Sequence, residues 1–179
     1  MITVEEVLGN EESFNWWLTI MPDQLLYLNL FPKEVRNKLD YSIESLDVLE
    51  KYIIENYTME ELEDSAFKTM VDICARYIGE TYIRNMVDLK WDMERDQGYY
   101  MEGHPCIVRN DKTKVFPPQF PHTFAFVAIR KLNPNTRGIY KVGESISSVL
   151  KFNIDNERYK YSEEELKKYY PNFVFTPKS

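Results

Sequence analysis

Apolar positions along this chain recur first at helical spacing and then at strand spacing. Phe14, Trp16, Trp17, Leu18, Ile20 and Met21 form a dense apolar segment that Pro22 stops. Asp23 then stands where it caps a short helix over Gln24 to Leu30, and Pro32 suits the first turn of another from Lys33 to Leu39. Ser42 is an N-cap for a longer helix reaching about Asn56. Ile43, Leu46, Leu49, Ile53 and Tyr57 fall near one of its faces, while Glu44, Asp47, Glu50, Lys51 and Glu55 fall on the other. Thr58 and Glu61 have capping-box spacing, so a further helix begins there or soon after and runs to about Met86. Phe67, Met70, Cys74, Tyr77, Ile78 and Thr81 line its inner face. Asp72, Arg76, Glu80 and Arg84 make an i,i+4 row of alternating charge, expected to be a solvated, self-pairing face. A sharper reading makes Glu80 and the arginines a binding surface beside the strands that follow. Gly79 costs about 1 kcal/mol relative to Ala at mid-helix, and such a glycine marks close approach by another backbone or a bulky ring.

From Leu89 the period shortens to two. Lys90 to Glu94 alternates, Asp96-Gln97-Gly98 offers a turn, and Tyr99-Tyr100-Met101 reads as the return strand. Glu102 to Pro105 makes a second turn, Cys106 to Arg109 a further strand, and Asn110 to Lys112 a hairpin into Thr113 to Phe116. Pro117, Pro118 and Pro121 end this meander of about four strands, since proline cannot donate to a ladder. Residues 123 to 132 combine strand-like composition with helix-like length, and are read as helix. Ile139 to Val142 reads as strand and Ser145 to Phe152 as a short helix. Ser162 and Glu165 form a second capping box, opening a helix that stops at Pro171. The expected fold is α+β: N-terminal helices packed on a small antiparallel β-meander, with short C-terminal helices. One domain over residues 1–179 is expected, helical over 1–88, meander over about 89–117 and mixed over 118–179.

Composition narrows the function classes. Lys plus Arg is 22 against 29 Asp plus Glu, a net charge of −7 that argues against general nucleic-acid binding. Thirteen tyrosines in an acidic chain suit recognition of a basic protein, because Tyr tolerates half-burial and charge steers association. The acidic N-terminus and the lack of a long apolar run predict no signal peptide and no membrane span, hence a cytoplasmic protein. Cys74 and Cys106, the two cysteines, read as reduced core residues.

Catalytic chemistry is thinly represented. Phosphate-binding glycine loops, the nucleophile elbow and the zinc-protease motif are absent from the sequence. No cofactor and no metal are expected. His104, Cys106 and His122 could assemble a thiol or metal site, but a strand thiol and two loop histidines account for them as well. Asp92 and Glu94 share one strand face, opposite Trp91, as a glycosidase pair would; acids on an exposed sheet face are the commoner case.

The run Ala75 to Glu80, then Trp91, Val115-Phe116-Pro117 and Arg130, resembles small bacterial α+β domains of unknown function, some akin to immunity proteins of polymorphic toxin systems. The resemblance spans about Ser42 to Leu132 and places Gly79, Glu80 and Trp91 at a helix-to-sheet junction. It implies a non-enzymatic protein-binding module of immunity or accessory type. Glu80, Trp91, Tyr99, Tyr100 and His104 are its candidate binding residues. The alternative is a small-molecule-binding or hydrolytic enzyme, with Glu80, Trp91, Tyr100, His104 and Cys106 lining a pocket at the same junction. A structural subunit of a larger assembly is a third possibility.

Overall fold

The computed structural model describes residues 9–58, 61, 65–110, 119–121 and 145–176, with the side chains of 65–67 excepted. The fold is α+β. Helices α1 (Glu11–Thr19), α2 (Met21–Leu25), α3 (Lys33–Arg36), α4 (Ile43–Asn56) and α5 (Ser65–Asn85) precede an antiparallel pair, β1 (Leu89–Met93) and β2 (Pro105–Arg109). Helices α6 (Ile146–Asn156) and α7 (Glu163–Tyr169) follow. The predicted hairpin at 111–112, the strands at 113–116 and 139–142, the helix at 123–132 and His122 lie outside the described residues. A bridge between Ile107 and Gln119 does bring a third stretch of chain beside β2.

The capping signals act where the sequence puts them. Ser42 accepts from the Ser45 N–H at 3.2 Å and opens α4. Thr58 and Glu61 exchange both bonds of a capping box, as do Ser162 and Glu165 at α7. The N-terminal segment is divided differently from the expectation. Pro22 sits in the first turn of α2 rather than stopping a helix, and Asp23 is a first-turn acid rather than a cap. The helix expected over Gln24 to Leu30 is the end of α2 followed by a 3-10 turn, Leu26–Leu30. Helix α3 ends at Arg36.

The β-meander is also shorter at one point. Tyr99-Tyr100-Met101 is not a strand; β1 pairs directly with β2, Trp91 opposite Ile107, and 94–104 is the connecting loop. Gly98 and Gly103 carry the positive φ values, 81° and 79°, that reverse the chain there.

The main buried cluster joins Leu46 and Leu49 of α4, Ile73, Tyr77 and Ile78 of α5, Ile107 of β2 and Leu150 of α6, while Phe14 and Trp17 of α1 pack with Met21 and Met93 in a second cluster. Tyr77 ties α4 to α5, its hydroxyl 2.6 Å from the Ser45 hydroxyl. Charged positions on two helices are buried: one on the otherwise exposed acidic face of α4, and the first half of the α5 charge row that was expected to be solvated. Glu50 of α4 is buried and accepts the Ile146 N–H at 2.7 Å, placing a carboxylate on the N-terminus of α6. On α5, Asp72 and Arg76 are 2% and 0% exposed. Helix α1 covers them. Trp17 donates its indole N–H to Asp72 at 2.9 Å, and Arg76 donates to Asp72 at 2.7 Å and to the Trp17 carbonyl at 2.7 Å. The Arg76 guanidinium also lies 3.8 Å from the Trp17 ring centre. The charge row therefore runs from core to surface, with Glu80 and Arg84 at its solvent end.

Candidate functional site

The candidate residues fall in two places. Glu80 and Trp91 meet at the α5–β1 junction; Tyr99, Tyr100 and His104 lie on the 94–104 loop beyond the end of β1. Cys106 belongs to neither, being fully buried against Met101 and Phe120.

At the junction, Gly79 makes room for Trp91. A Cβ on Gly79 would lie 2.0 Å from Cζ2 of that ring, which confirms the close approach expected of a mid-helix glycine. The ring is fixed twice more. Its indole N–H donates to Glu80 Oε1 at 2.9 Å, and Trp17 meets it edge-on with centroids 5.1 Å apart. Glu80 and Trp91 border a groove of about 600 Å³ whose far wall is the N-terminal helices, through Leu18, Leu25 and Leu26. Arg36, Tyr41 and Arg84 complete its polar side.

Tyr41 holds a left-handed backbone at φ 62°, which costs about 1–2 kcal/mol for a non-glycine residue. The surrounding contacts hold it there. The Tyr41 N–H donates to the Tyr77 hydroxyl at 3.0 Å, Asn85 donates to the Tyr41 carbonyl at 2.8 Å, and the two tyrosine rings stack at 4.7 Å. Burial raises the Tyr41 phenol pKa; Arg84 opposes that shift and Glu80 reinforces it. The Arg84 guanidinium sits 3.6 Å from the centre of the Tyr41 ring, and its Nε is 3.9 Å from Glu80 Oε2. Arg36 donates to the Asn29 carbonyl at 2.9 Å. Neither Arg36 nor Tyr41 stands out in the sequence: no motif surrounds them, and Tyr41 takes its conformation from partners 36 and 44 residues away.

The loop is built by carboxylates turned onto its own backbone. Glu94 accepts the N–H groups of Arg95 and Asp96 at 2.8 and 2.9 Å, and Glu102 accepts that of Gly98 at 2.9 Å. Arg95 clamps the base, donating to Asp92 at 2.5 Å and to Glu11 of α1 at 2.6 Å. Asp92 and Glu94 are thus engaged in structure and do not form a free acid/base pair. Tyr99 and Tyr100 meet at 4.7 Å, and Tyr100 is 71% exposed. His104 Nδ1 lies 3.1 Å from the Met101 carbonyl and 3.3 Å from that of Glu102, so this nitrogen carries the proton.

Neither thiol is poised for chemistry. Cys74 and Cys106 are free, and burial pushes both pKa values up to about 12, leaving the protonated form at neutral pH. Among the described residues, no helix is long and apolar enough to cross a membrane. No protein-family model, no curated protein and no solved structure matches this chain.

Proposed function

We propose that the chain is a cytoplasmic, non-enzymatic protein-binding module of the immunity or accessory type, and that it engages a basic protein partner through the 94–104 loop. The observation that carries this reading is the exposed Tyr99–Tyr100 pair, held on a loop with exposed Asp96 and Glu102. Tyrosine offers large contact area with few rotors to freeze, and it is enriched at interfaces. The loop is braced by its own carboxylates and by the Arg95 clamp, so little ordering cost falls on association. Surrounding acids favour a basic partner and raise its rate of encounter, and they disfavour a phosphate backbone.

Of the residues expected to line the pocket of the hydrolytic alternative, Cys106 is buried away from the groove and its thiol is protonated. The small-molecule alternative retains Glu80 and Trp91, which border a real groove, but not Tyr100 or His104.

The test is affinity capture at low salt from the organism that makes the protein, with wild type and a Tyr100→Ser/Glu102→Lys variant as paired baits. A basic protein retained by wild type, released as salt rises and lost from the variant is the expected result. Recovery of no stable partner, or of one indifferent to both salt and the variant, overturns the proposal.

A further inference from the structure

We infer that the groove between the N-terminal helices and α5 binds a small apolar carboxylate, with its tail on Leu18, Leu25 and Leu26 and its head between Arg36 and Arg84. This site is separate from the tyrosine loop, and either can fail without the other.

Three observations converge on it. The volume of about 600 Å³ is that of a small-molecule pocket, and one wall is apolar, with Leu26 still 62% exposed at its lip. The charges at the groove run against the molecule's own sign. In a chain of net charge −7, the lining carries two guanidiniums, Arg36 and Arg84, and one carboxylate, Glu80. Glu80 is already committed, accepting the Trp91 indole N–H through Oε1 and standing 3.9 Å from Arg84 through Oε2. The groove therefore keeps an excess of positive charge beside an apolar surface.

The third observation concerns Arg84 itself. Its guanidinium is stacked on Tyr41 at 3.6 Å. Stacking fixes the plane while leaving the in-plane N–H donors able to meet a carboxylate side by side, the geometry at which arginine excels. Tyr41 is in turn held at φ 62° by Tyr77 and Asn85, so the platform under Arg84 is rigid. Strained residues that their surroundings hold in place cluster at ligand sites. Arg36 donates to the Asn29 carbonyl and Arg84 shares Glu80, which leaves one net positive charge that a purely apolar ligand would not use and a cation would oppose.

The full chain is titrated calorimetrically with decanoate below its micellar concentration, and in parallel with decanol and decyltrimethylammonium. The expected result is saturable binding of one decanoate per chain, with a change in tryptophan fluorescence because Trp91 borders the groove. Arg36→Gln and Arg84→Gln should each weaken decanoate about tenfold, equivalent to ~1.4 kcal/mol. Leu26→Glu, at an exposed position, should abolish it and keeps the test open if loss of Arg84 unsettles Tyr41. No binding at millimolar decanoate overturns the inference. So does decanol binding as tightly as decanoate, or affinity unchanged in the Arg36→Gln/Arg84→Gln double variant. A concentration-dependent dimer in sedimentation that Leu26→Glu abolishes, with no decanoate bound, would assign the groove to a second copy of the chain and would equally overturn it.

Discussion

Gly79 is where a single missing methyl group governs the local packing. Alanine there would gain about 1 kcal/mol in helix propensity. Its Cβ, however, would stand 2.0 Å from Cζ2 and 2.2 Å from Cη2 of Trp91. That ring cannot swing away cheaply, because Glu80 holds its N–H and Trp17 abuts its face. Overpacking costs about 1–3 kcal/mol, so net of the propensity gain Gly79→Ala should be destabilised by up to ~2 kcal/mol in urea unfolding, and Trp91→Leu in that background should recover part of the loss. A stable Gly79→Ala would mean that the ring is free to move. The need for a glycine was legible from its mid-helix position. Spacing alone did not identify the ring, since nothing local connects positions 79 and 91; only the resemblance set them at one junction.

At the scale of elements, β1, its loop and β2 depend on Asp92. Burial raises the Asp92 pKa, but the Arg95 hydrogen bond, the Met93 N–H and the charges of Arg95 and Lys90 outweigh it, leaving the carboxyl below its ordinary value of 3.8. A folded pKa below the unfolded one contributes stability above the unfolded value, and that contribution is lost as pH falls through the folded value. Acidification below 3.8 should therefore release the Arg95 clamp and loosen the loop. Asp92→Asn should be less stable than wild type near neutrality and should show a smaller further loss in acid. Urea midpoints at about pH 7 and about pH 3 check this, and equal pH dependence in the two proteins would contradict it. Cys106 to Arg109 was readable as a strand because its residues suit a buried sheet. Tyr99 to Met101 was misread because aromatic content alone resembles a strand. Two positive-φ glycines and carboxylates bonded to backbone N–H groups bend it into a loop instead.

For the whole molecule, the decisive contacts join distant parts of the chain. Arg109 at the end of β2 pairs with Glu157 beyond α6, both side chains almost entirely buried. Breaking a buried ion pair by removing one partner costs about 3–5 kcal/mol in general, here eased by the Val87 carbonyl that Arg109 also reaches. Glu157→Ala should lower the thermal midpoint and open residues 145–176 to limited proteolysis, with Glu157→Gln milder. Unchanged protease resistance would show that apolar packing alone holds that region. Short-range spacing was sufficient to establish the α+β class, the caps at Ser42, Thr58 and Ser162, and the long helix ending near Asn85, because periodicity and capping act within a few residues. It could not place Asp72 and Arg76 in the interior, since the i,i+4 pattern is the same on a wet face and a covered one. Trp17, 55 and 59 residues away along the chain, makes the difference by bringing α1 down over them. The groove has the same origin: Leu26, Arg36, Arg84 and Trp91 border one cavity only after packing has brought their four segments together.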